Sequence, residues 1–227
     1  MYVSAPQAQS PLALAPVEII SSTPQLGSPT AQLASSPLGQ PTSTMPQNTT
    51  LHMRSAQLNV LDGHRTSIAG TLEPGLAGRS VTLQAMGQHG WHTIDRTRTG
   101  AAGRFRFHYE SNETGSERVR VRFAGDASDR PAHRRLGRLN VFRLAEASWY
   151  GGGGSLACGG SLTSSTLGVA NKTLPCGTLV TLRYGSRSIR VPVVDRGPYV
   201  AGREFDLTEA TKDALGFGDT GAVWSTR

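Results

Sequence analysis

The sequence predicts an all-β protein in which an antiparallel β-sandwich is followed by a small closed β-barrel with one short helix. Apolar and polar residues alternate with a period of two in several short runs, as strands with one buried face require. Glycine-rich and proline-rich turn signals separate those runs. The composition agrees, because 37% hydrophobic and 17% charged residues with 27 Gly and 13 Pro favour turn-rich β domains over a helical bundle.

Residues 1–55 are predicted to be a disordered linker rich in Ser, Thr, Pro and Gln. The segment holds a single acidic residue, Glu18, and a single basic residue, Arg54. Such a composition cannot bury enough apolar surface to offset the entropy of ordering. We expect a flexible spacer between the membrane or wall and a folded module.

The first residues do not resemble a signal peptide, because they lack a basic segment and a long apolar core. Met1–Gln9 looks instead like sequence just downstream of a cleavage site. We therefore expect a misplaced start or a processed form of a secreted protein. No run of 18 apolar residues occurs, so no transmembrane segment is predicted.

Residues 56–144 are predicted to form the sandwich, and they resemble the immunoglobulin-like modules of bacterial surface proteins. The alternating runs are Ser80–Ala85, Arg104–Tyr109 and Glu117–Phe123. Residues 56–145 contain 14 Arg and eight acidic residues, and thus +6 of the chain's net charge of +7. The arginine rows have two interpretations: a solvated sheet face that discourages aggregation, or a surface that binds an anionic wall polymer. No nucleic-acid-binding motif accompanies the charge, so nucleic acid is not predicted as a partner.

The two cysteines, Cys158 and Cys176, lie in the last third of the chain. A zinc site is excluded because it needs more ligands and residues 145–227 contain no histidine. Two interpretations remain, one disulfide that closes a short loop or two unpaired buried thiols. A disulfide would contribute about 3 kcal/mol and would fit an extracytoplasmic location.

Residues 145–227 carry the specific motifs. They are ASWYG at Ala147–Gly151, NKTLPCGT at Asn171–Thr178, VVDRGPY at Val193–Tyr199 and FDLT at Phe205–Thr208. Two alternating runs, Leu179–Tyr184 and Ser188–Val194, are joined at Gly185 and predict a hairpin. A short helix is predicted after them, capped by Thr208, with Glu209 in its first turn and Gly216 at its end.

In this order and spacing the motifs resemble the double-psi β-barrel of the rare lipoprotein A family, especially its two-cysteine form in Gram-positive, GC-rich bacteria. The resemblance implies a closed six-stranded barrel with a packed interior and a functional groove on its surface. It also implies a peptidoglycan lytic transglycosylase. Such an enzyme cleaves the MurNAc–GlcNAc bond without water and leaves a 1,6-anhydroMurNAc end.

The resemblance places a general acid and base at Asp195, where an apolar strand ends in a Gly-Pro turn. One carboxyl group can serve in both roles, so a second catalytic carboxylate is not required. The alternative is that Asp195 only caps the turn through backbone amides. The substrate-binding residues expected with it are Tyr150, Asn171, Arg196, Tyr199 and Asp206. Structural hydrogen bonding for Asp206, and core or rim packing for the two tyrosines, are the alternatives.

Two positions depart from the family pattern. Asn171 stands where catalytic members usually have a histidine, and Gly160 follows Ala157–Gly159 where an acidic residue is usual. Asparagine can hydrogen-bond a sugar but cannot shuttle a proton. The second functional hypothesis is therefore a non-catalytic peptidoglycan-binding or expansin-like wall-loosening module. A secreted adhesin or inhibitor is a third. In each case we expect an extracellular location, peptidoglycan as partner, and no metal or other cofactor.

Overall fold

The computed structural model describes residues 45–227, and this part of the chain folds almost entirely into β-strands, which confirms the all-β prediction. Residues 1–44 of the predicted linker lie outside it. The strands of its first part are β1 Thr50–Ala56, β2 Asn59–Leu61, β3 Arg65–Glu73, β4 Ser80–Gly87, β5 Gly90–Arg98, β6 Arg104–Glu110 and β7 Gly115–Phe123. The strands of its second part are β8 Ala132–Tyr150, β9 Gly154–Ser155, β10 Ser161–Leu162, β11 Val169–Ala170, β12 Leu179–Tyr184, β13 Arg187–Asp195, β14 Phe205–Thr208 and β15 Thr220–Ser225. No helix between residues 45 and 227 has the length and apolar character to cross a membrane.

The first part consists of two sheets that share one apolar core. One sheet has the order β1-β3-β6, and the other has the order β5-β4-β7-β8. Alternation decides which side chains enter the core: in β7, Val119, Val121 and Phe123 are buried, whereas the arginines between them face outward. An immunoglobulin-like topology for this part stays a prediction.

The first strand begins inside the segment predicted to be linker. β1 starts at Thr50 and pairs with β3 along its length, so the predicted boundary at residue 55 is too late. Leu51 is buried in the shared core, and Met53 packs against it. These two apolar side chains, together with the β3 ladder, stabilise a segment whose composition is otherwise polar.

Strand β8 belongs to both parts of the molecule. Its N-terminal half pairs with β7, and residues 143–148 pair with β15. Leu139 and Val141 enter the first core, whereas Ala145 and Ala147 enter a second core. Between the two pairs, the buried Phe142 ring lies 5.7 Å from the ring of Trp224. The predicted domain boundary at residues 144–145 therefore falls inside one continuous strand.

The second part is a closed six-stranded barrel, as predicted. Its strands follow the order β14-β11-β13-β12-β15-β8, and β14 pairs in parallel with β8 to close the cylinder. The predicted hairpin is β12 and β13, paired from Leu179↔Pro192 to Tyr184↔Arg187. The interior is packed with apolar side chains, among them Val169, Leu182, Val193, Phe205 and Leu207. Because apolar side chains fill the interior, we expect ligand contacts on the outer surface.

Helix α1, Glu209–Leu215, covers one end of the barrel where the sequence places it. Glu209 lies in its first turn, and Gly216 ends it in the left-handed conformation at φ 65°, as predicted. Thr208 is the N-cap residue, as predicted, but its side chain makes no capping hydrogen bond to the first turn. The Thr208 hydroxyl bonds instead to the Gly168 carbonyl, 3.1 Å away, and ties the helix start to the neighbouring strand.

Gly168 lies directly under the start of α1, where a larger residue does not fit. The hydroxyls of Thr208 and Thr211 both bond its backbone, and a Cβ atom there would lie 2.4 Å from Val194 Cγ2. We expect Gly168→Ala to lower the free energy of unfolding by about 1–3 kcal/mol, because the β-branched Val194 cannot move away without straining β13. Urea denaturation followed by circular dichroism measures this change.

The matched control is Gly218→Ala, since a Cβ there meets no heavy atom within 4 Å. Its stability should stay within about 0.5 kcal/mol of wild type. Equal stabilities for the two variants would contradict close packing of Gly168 beneath the helix.

Candidate active site

A disulfide between Cys158 and Cys176 holds two loops against the end of β13. The two Cα atoms are 5.5 Å apart, so the disulfide interpretation is confirmed and the free-thiol alternative is wrong. The Cys158 N–H donates to the Val194 carbonyl at 3.2 Å, and the Gly177 N–H donates to the Val193 carbonyl at 2.8 Å. Both loops are therefore anchored beside the last residues of β13, where Asp195 lies.

Four neighbouring strands bring two carboxylates into one row. Across the sheet, Ser148 of β8 pairs with Asp206 of β14, Asp206 pairs with Ala170 of β11, and Ala170 pairs with Asp195 of β13. Asp195 and Asp206 are thus two strand spacings apart, roughly 10 Å at Cα. Tyr150 follows Ser148 by two positions and lies on the same face of β8. The structure brings Tyr150, Asp195 and Asp206 together as the sequence predicted.

Asp195 is half-buried, and only one of its carboxylate oxygens accepts backbone hydrogen bonds. Oδ1 accepts hydrogen bonds from the Ala157 N–H at 2.9 Å and from the Arg196 N–H at 2.8 Å. Within the described residues, Oδ2 accepts no backbone N–H, and the Tyr150 hydroxyl is the side-chain donor close to this carboxylate. The two backbone bonds fix the orientation of the carboxyl group, as the turn-capping alternative expects. They also leave the second oxygen free to meet a ligand.

Asp206 is held by a structural hydrogen bond. Its Oδ1 accepts from Ser148 Oγ at 2.7 Å, across the β14–β8 pair. The bond ties the two strands that close the barrel, so the structural interpretation of Asp206 has direct support. The other carboxylate oxygen remains on the same face as Asp195.

The Tyr150 hydroxyl is buried and lies within the influence of both carboxylates. Within the described residues, no partner meets normal hydrogen-bond geometry with that hydroxyl. Burial comes first, and the negative charge of Asp195, a close contact of the hydroxyl with that carboxylate and the charge of Asp206 follow; together they raise the pKa of Tyr150 well above its usual range. The side chain is therefore a neutral phenol beside Asp195, and its O–H group can donate a hydrogen bond.

Asn171 does not face the groove, so its predicted contact with substrate is not supported. The residue is 4% exposed, and its amide is fully used inside the protein. Nδ2 donates to the Glu204 carbonyl at 3.1 Å, while Oδ1 accepts from the Leu174 N–H at 2.8 Å and the Thr173 N–H at 3.0 Å. Asn171 shapes the loop that follows β11, which is a common use of asparagine before a turn.

Arg196 is partly buried and its guanidinium makes contacts within the protein, so its predicted role in binding substrate stays a prediction. Its Nη1 donates to the carbonyls of Asn171 at 3.0 Å and Leu174 at 2.9 Å. Its Nη2 lies 3.1 Å from Cys176 Sγ. The guanidinium therefore clamps the loop from Asn171 to the disulfide against the end of β13.

Tyr199 and Gly160 lie on loops around Asp195. Tyr199 is 82% exposed, so its ring is open to a sugar face. Gly160 belongs to the turn that supplies the Ala157 N–H, because its carbonyl accepts from the Leu156 N–H at 3.1 Å. Its φ of +83° favours glycine, which accounts for the missing acidic side chain at this position.

The sequence predictions missed Ser148 and the Ala157 backbone amide. The signal for Ser148 was present, since period two within the ASWYG motif puts it on the same strand face as Tyr150. The amide carried no such signal, because any residue supplies a backbone N–H. Within residues 45–227, no three His, Cys, Asp or Glu side chains lie close enough to hold a metal ion.

Comparison with known proteins locates the same region. Residues 144–224 match the family described as lytic transglycolase. A protein of Aquifex aeolicus described as "Probable endolytic peptidoglycan transglycosylase RlpA" is 40% identical over 82 residues, which cover 34% of this chain and 36% of that protein. One of Synechocystis with the same description is 36% identical over 106 residues, 40% of this chain and 33% of that protein. The solved structure of Streptomyces papain inhibitor aligns with 24% identity and a TM-score of 0.30, over 37% of this chain and 91% of the inhibitor.

The chain thus spans about a third of the length of the curated relatives that it matches. The matched region coincides with the barrel, from the second half of β8 to β15, and with the motifs that surround Asp195. Residues 144–224 therefore form a rare lipoprotein A-like (RlpA-like) double-psi β-barrel domain.

Proposed function

We propose that this protein is a peptidoglycan lytic transglycosylase with Asp195 as its general acid and base. The observation that carries the proposal is the position of Asp195 at the end of β13, oriented by two backbone N–H groups that both bind Oδ1 and leave Oδ2 without a backbone donor. The family match over residues 144–224 supports the same reaction class. The printed names of the relatives, endolytic peptidoglycan transglycosylases, suggest the substrate.

The reaction needs one carboxyl group and no water. Protonated Asp195 gives its proton to the glycosidic oxygen as the bond from MurNAc C1 breaks, and the GlcNAc hydroxyl leaves. The carboxylate then removes the proton from the MurNAc 6-hydroxyl while that oxygen attacks C1 and closes the 1,6-anhydro ring. Asp195 ends protonated, ready for the next cycle.

The other side chains of the row have supporting roles in this proposal. Tyr150 offers a neutral hydroxyl to the sugar or to the Asp195 carboxylate, because its raised pKa keeps the proton on oxygen. Asp206 and the exposed Tyr199 ring contact neighbouring sugars of the glycan strand. Asn171 and Arg196 are positioning residues that hold the loop around Asp195.

A non-catalytic wall-binding or expansin-like module is the second candidate. It is favoured by the buried Asn171, which stands where catalytic members of the family usually have a histidine. An asparagine at this position cannot relay a proton to Asp195. It is also favoured by the two backbone bonds to Oδ1, which would serve a capping residue equally well. In this case the row of polar residues binds glycan without cleaving it.

The proposed substrate sets the location of the protein. Peptidoglycan lies outside the cytoplasmic membrane, and the disulfide fits an oxidising compartment, so we place the protein at the cell wall. The arginine-rich part of the chain then lies among anionic wall polymers, to which it would be attracted. Nucleic acid is not proposed as a partner.

Asp195→Asn tests the enzymatic hypothesis directly. The full chain, wild type or variant, is incubated with purified peptidoglycan sacculi, and soluble fragments are analysed by mass spectrometry for 1,6-anhydro ends. We expect the variant to release them about 10²- to 10⁴-fold more slowly, because the amide cannot donate or accept the proton that the reaction moves.

Asp213→Asn is the matched control, since this carboxylate lies on the exposed side of α1, and it should release fragments at the wild-type rate. Absence of anhydro products from wild type, with the protein still pelleting with sacculi, would overturn the enzyme proposal and leave the binding module.

Tyr150→Phe separates the hydroxyl's function from its effect on stability. Removal of a buried hydroxyl that has no well-aligned partner should change the free energy of unfolding by less than about 1 kcal/mol, and removal of its donor should slow anhydro-product release. Thermal denaturation and the sacculus assay measure the two effects on the same protein. A larger loss of stability would show instead that the hydroxyl bonds to Asp195 in the free protein.

A further inference from the structure

The outer face of the β5-β4-β7-β8 sheet carries a cluster of arginines without acidic partners. We call it the arginine face, and its members are Arg118, Arg120 and Arg122 on β7 and Arg135 and Arg138 on β8. Arg118 lies directly opposite Arg138, and Arg120 lies opposite Arg135. Within residues 45–227, no carboxylate lies within ion-pair distance of any of the five.

This arrangement is electrostatically unfavourable in the free protein. Like charges placed directly opposite each other on adjacent strands destabilise a sheet. Burial, together with the charges of Arg122 and Arg135, lowers the pKa of Arg120 below its usual value. A solvated face that serves only solubility would intersperse charges of both signs. A bound anion would remove the repulsion.

Two of these arginines are already held in place. The Arg120 guanidinium lies 4.2 Å from the centre of the Trp91 ring, and its Nε donates to Gln84 Oε1 at 2.8 Å. Arg138 Nη1 donates to the Ser116 carbonyl at 3.0 Å. Fixed side chains lose less entropy on binding, which favours a ligand site over a mobile surface.

A cleft opens at the centre of the arginine face, because β8 has a bulge there. The register passes from Val119↔Gly137 to Arg120↔Arg135, so Leu136 has no partner on β7 and packs against the core. The cleft has a volume of about 290 Å³ and combines apolar walls with a cationic rim. Its lining includes Met86, Trp91, Arg118, Arg135, Gly137 and Arg138.

The positive charge continues from the sheet onto the barrel. Burial first, then the charges of Arg138, Arg227 and Arg118, lowers the pKa of Arg190 on β13. Arg190 Nε is buried, with no hydrogen-bond partner in the described part of the chain. An unpaired buried donor beside three like charges is costly, and an anion at this junction would offset the like charges around the guanidinium.

We propose that the arginine face binds a linear phosphodiester polymer of the cell wall, of the teichoic acid type, with one phosphate in the cleft and further phosphates along the strands. Guanidinium groups bind phosphate through paired N–H donors. Outward residues of one strand recur about every 7 Å, a spacing that suits one phosphate on each short repeat. The site rests on the proposed function for its location at the wall, although its ligand is a different polymer from the glycan.

The test measures binding of fluorescently labelled poly(glycerol phosphate) to the full chain by fluorescence anisotropy. We expect the double variant Arg118→Gln/Arg138→Gln to bind at least about tenfold more weakly, because each lost guanidinium removes charge-assisted hydrogen bonds. The matched control is Arg104→Gln/Arg106→Gln, which removes the same charge from exposed positions of β6 on the other sheet. It should change affinity less than about twofold. Arg118→Gln alone should weaken binding while its melting temperature equals or exceeds that of wild type, because it removes a repulsion.

Three outcomes would overturn the proposal. Equal losses in the two double variants would show diffuse attraction without a site. Inorganic phosphate that competes as well as the polymer, at equal phosphate concentration, would show that the chain of repeats is not recognised. Tighter binding of an oligodeoxynucleotide with the same number of phosphates would assign the surface to nucleic acid. Asp195→Asn should bind the polymer as wild type does, so this result is independent of glycan cleavage.

Discussion

The uninterrupted backbone ladder of β8 is the constraint on which the rest of the structure depends. The strand donates and accepts hydrogen bonds to β7 over its first half and to β15 and β14 over its second half. Each such bond contributes about 1 kcal/mol net, and a buried one that is broken costs more. Rotation of the barrel against the first part would have to break ladder bonds or expose Phe142, which is fully buried between the two cores. The two parts therefore do not move independently of each other.

The candidate site is rigid because part of it belongs to the same strand. Ser148 and Tyr150 lie at the end of β8, and Ser148 fixes Asp206 of β14. On the other side, Asn171, Arg196 and the disulfide hold the loops beside Asp195 through bonds to backbone carbonyls and amides. A catalytic carboxyl needs this support, because small errors of position reduce the rate sharply. The residues that turned out to be internal are thus those that keep Asp195 in place.

Sequence periodicity predicted the strands well, because alternation reports directly which side chains face a core. The hairpin predicted at Leu179–Tyr184 and Ser188–Val194 corresponds to β12 and β13 within one residue at each end. The continuity of β8 was not predictable in the same way, since a change of composition near residue 144 marks a new core but says nothing about backbone hydrogen bonds. A pattern of side chains does not reveal which strands pair with each other.

The sequence motifs identified the residues of the candidate site, but they did not predict which way each side chain points. Asp195 was identified because its motif places it at the end of a strand, and Tyr150 because the ASWYG motif supplies an aromatic ring that can stack on a sugar. Asn171 was assigned to the glycan, yet an asparagine before a turn satisfies its amide within the loop just as well, and burial decides between the two. Arg196 shows the same ambiguity, since five donors can serve a ligand or backbone carbonyls.

The continuous framework also relates the arginine face to the reactive carboxyl. Arg190 and Asp195 lie five positions apart on β13, which is about 17 Å along the strand. Arg138 and Ser148 are ten positions apart on β8, or about 33 Å. Because neither strand is interrupted between these residues, the separation between bound phosphate and reacting sugar is set by the backbone. A wall polymer held at the arginine face would then confine Asp195 to glycan within a few nanometres of its anchor, which raises the local substrate concentration without any new contact to the sugar.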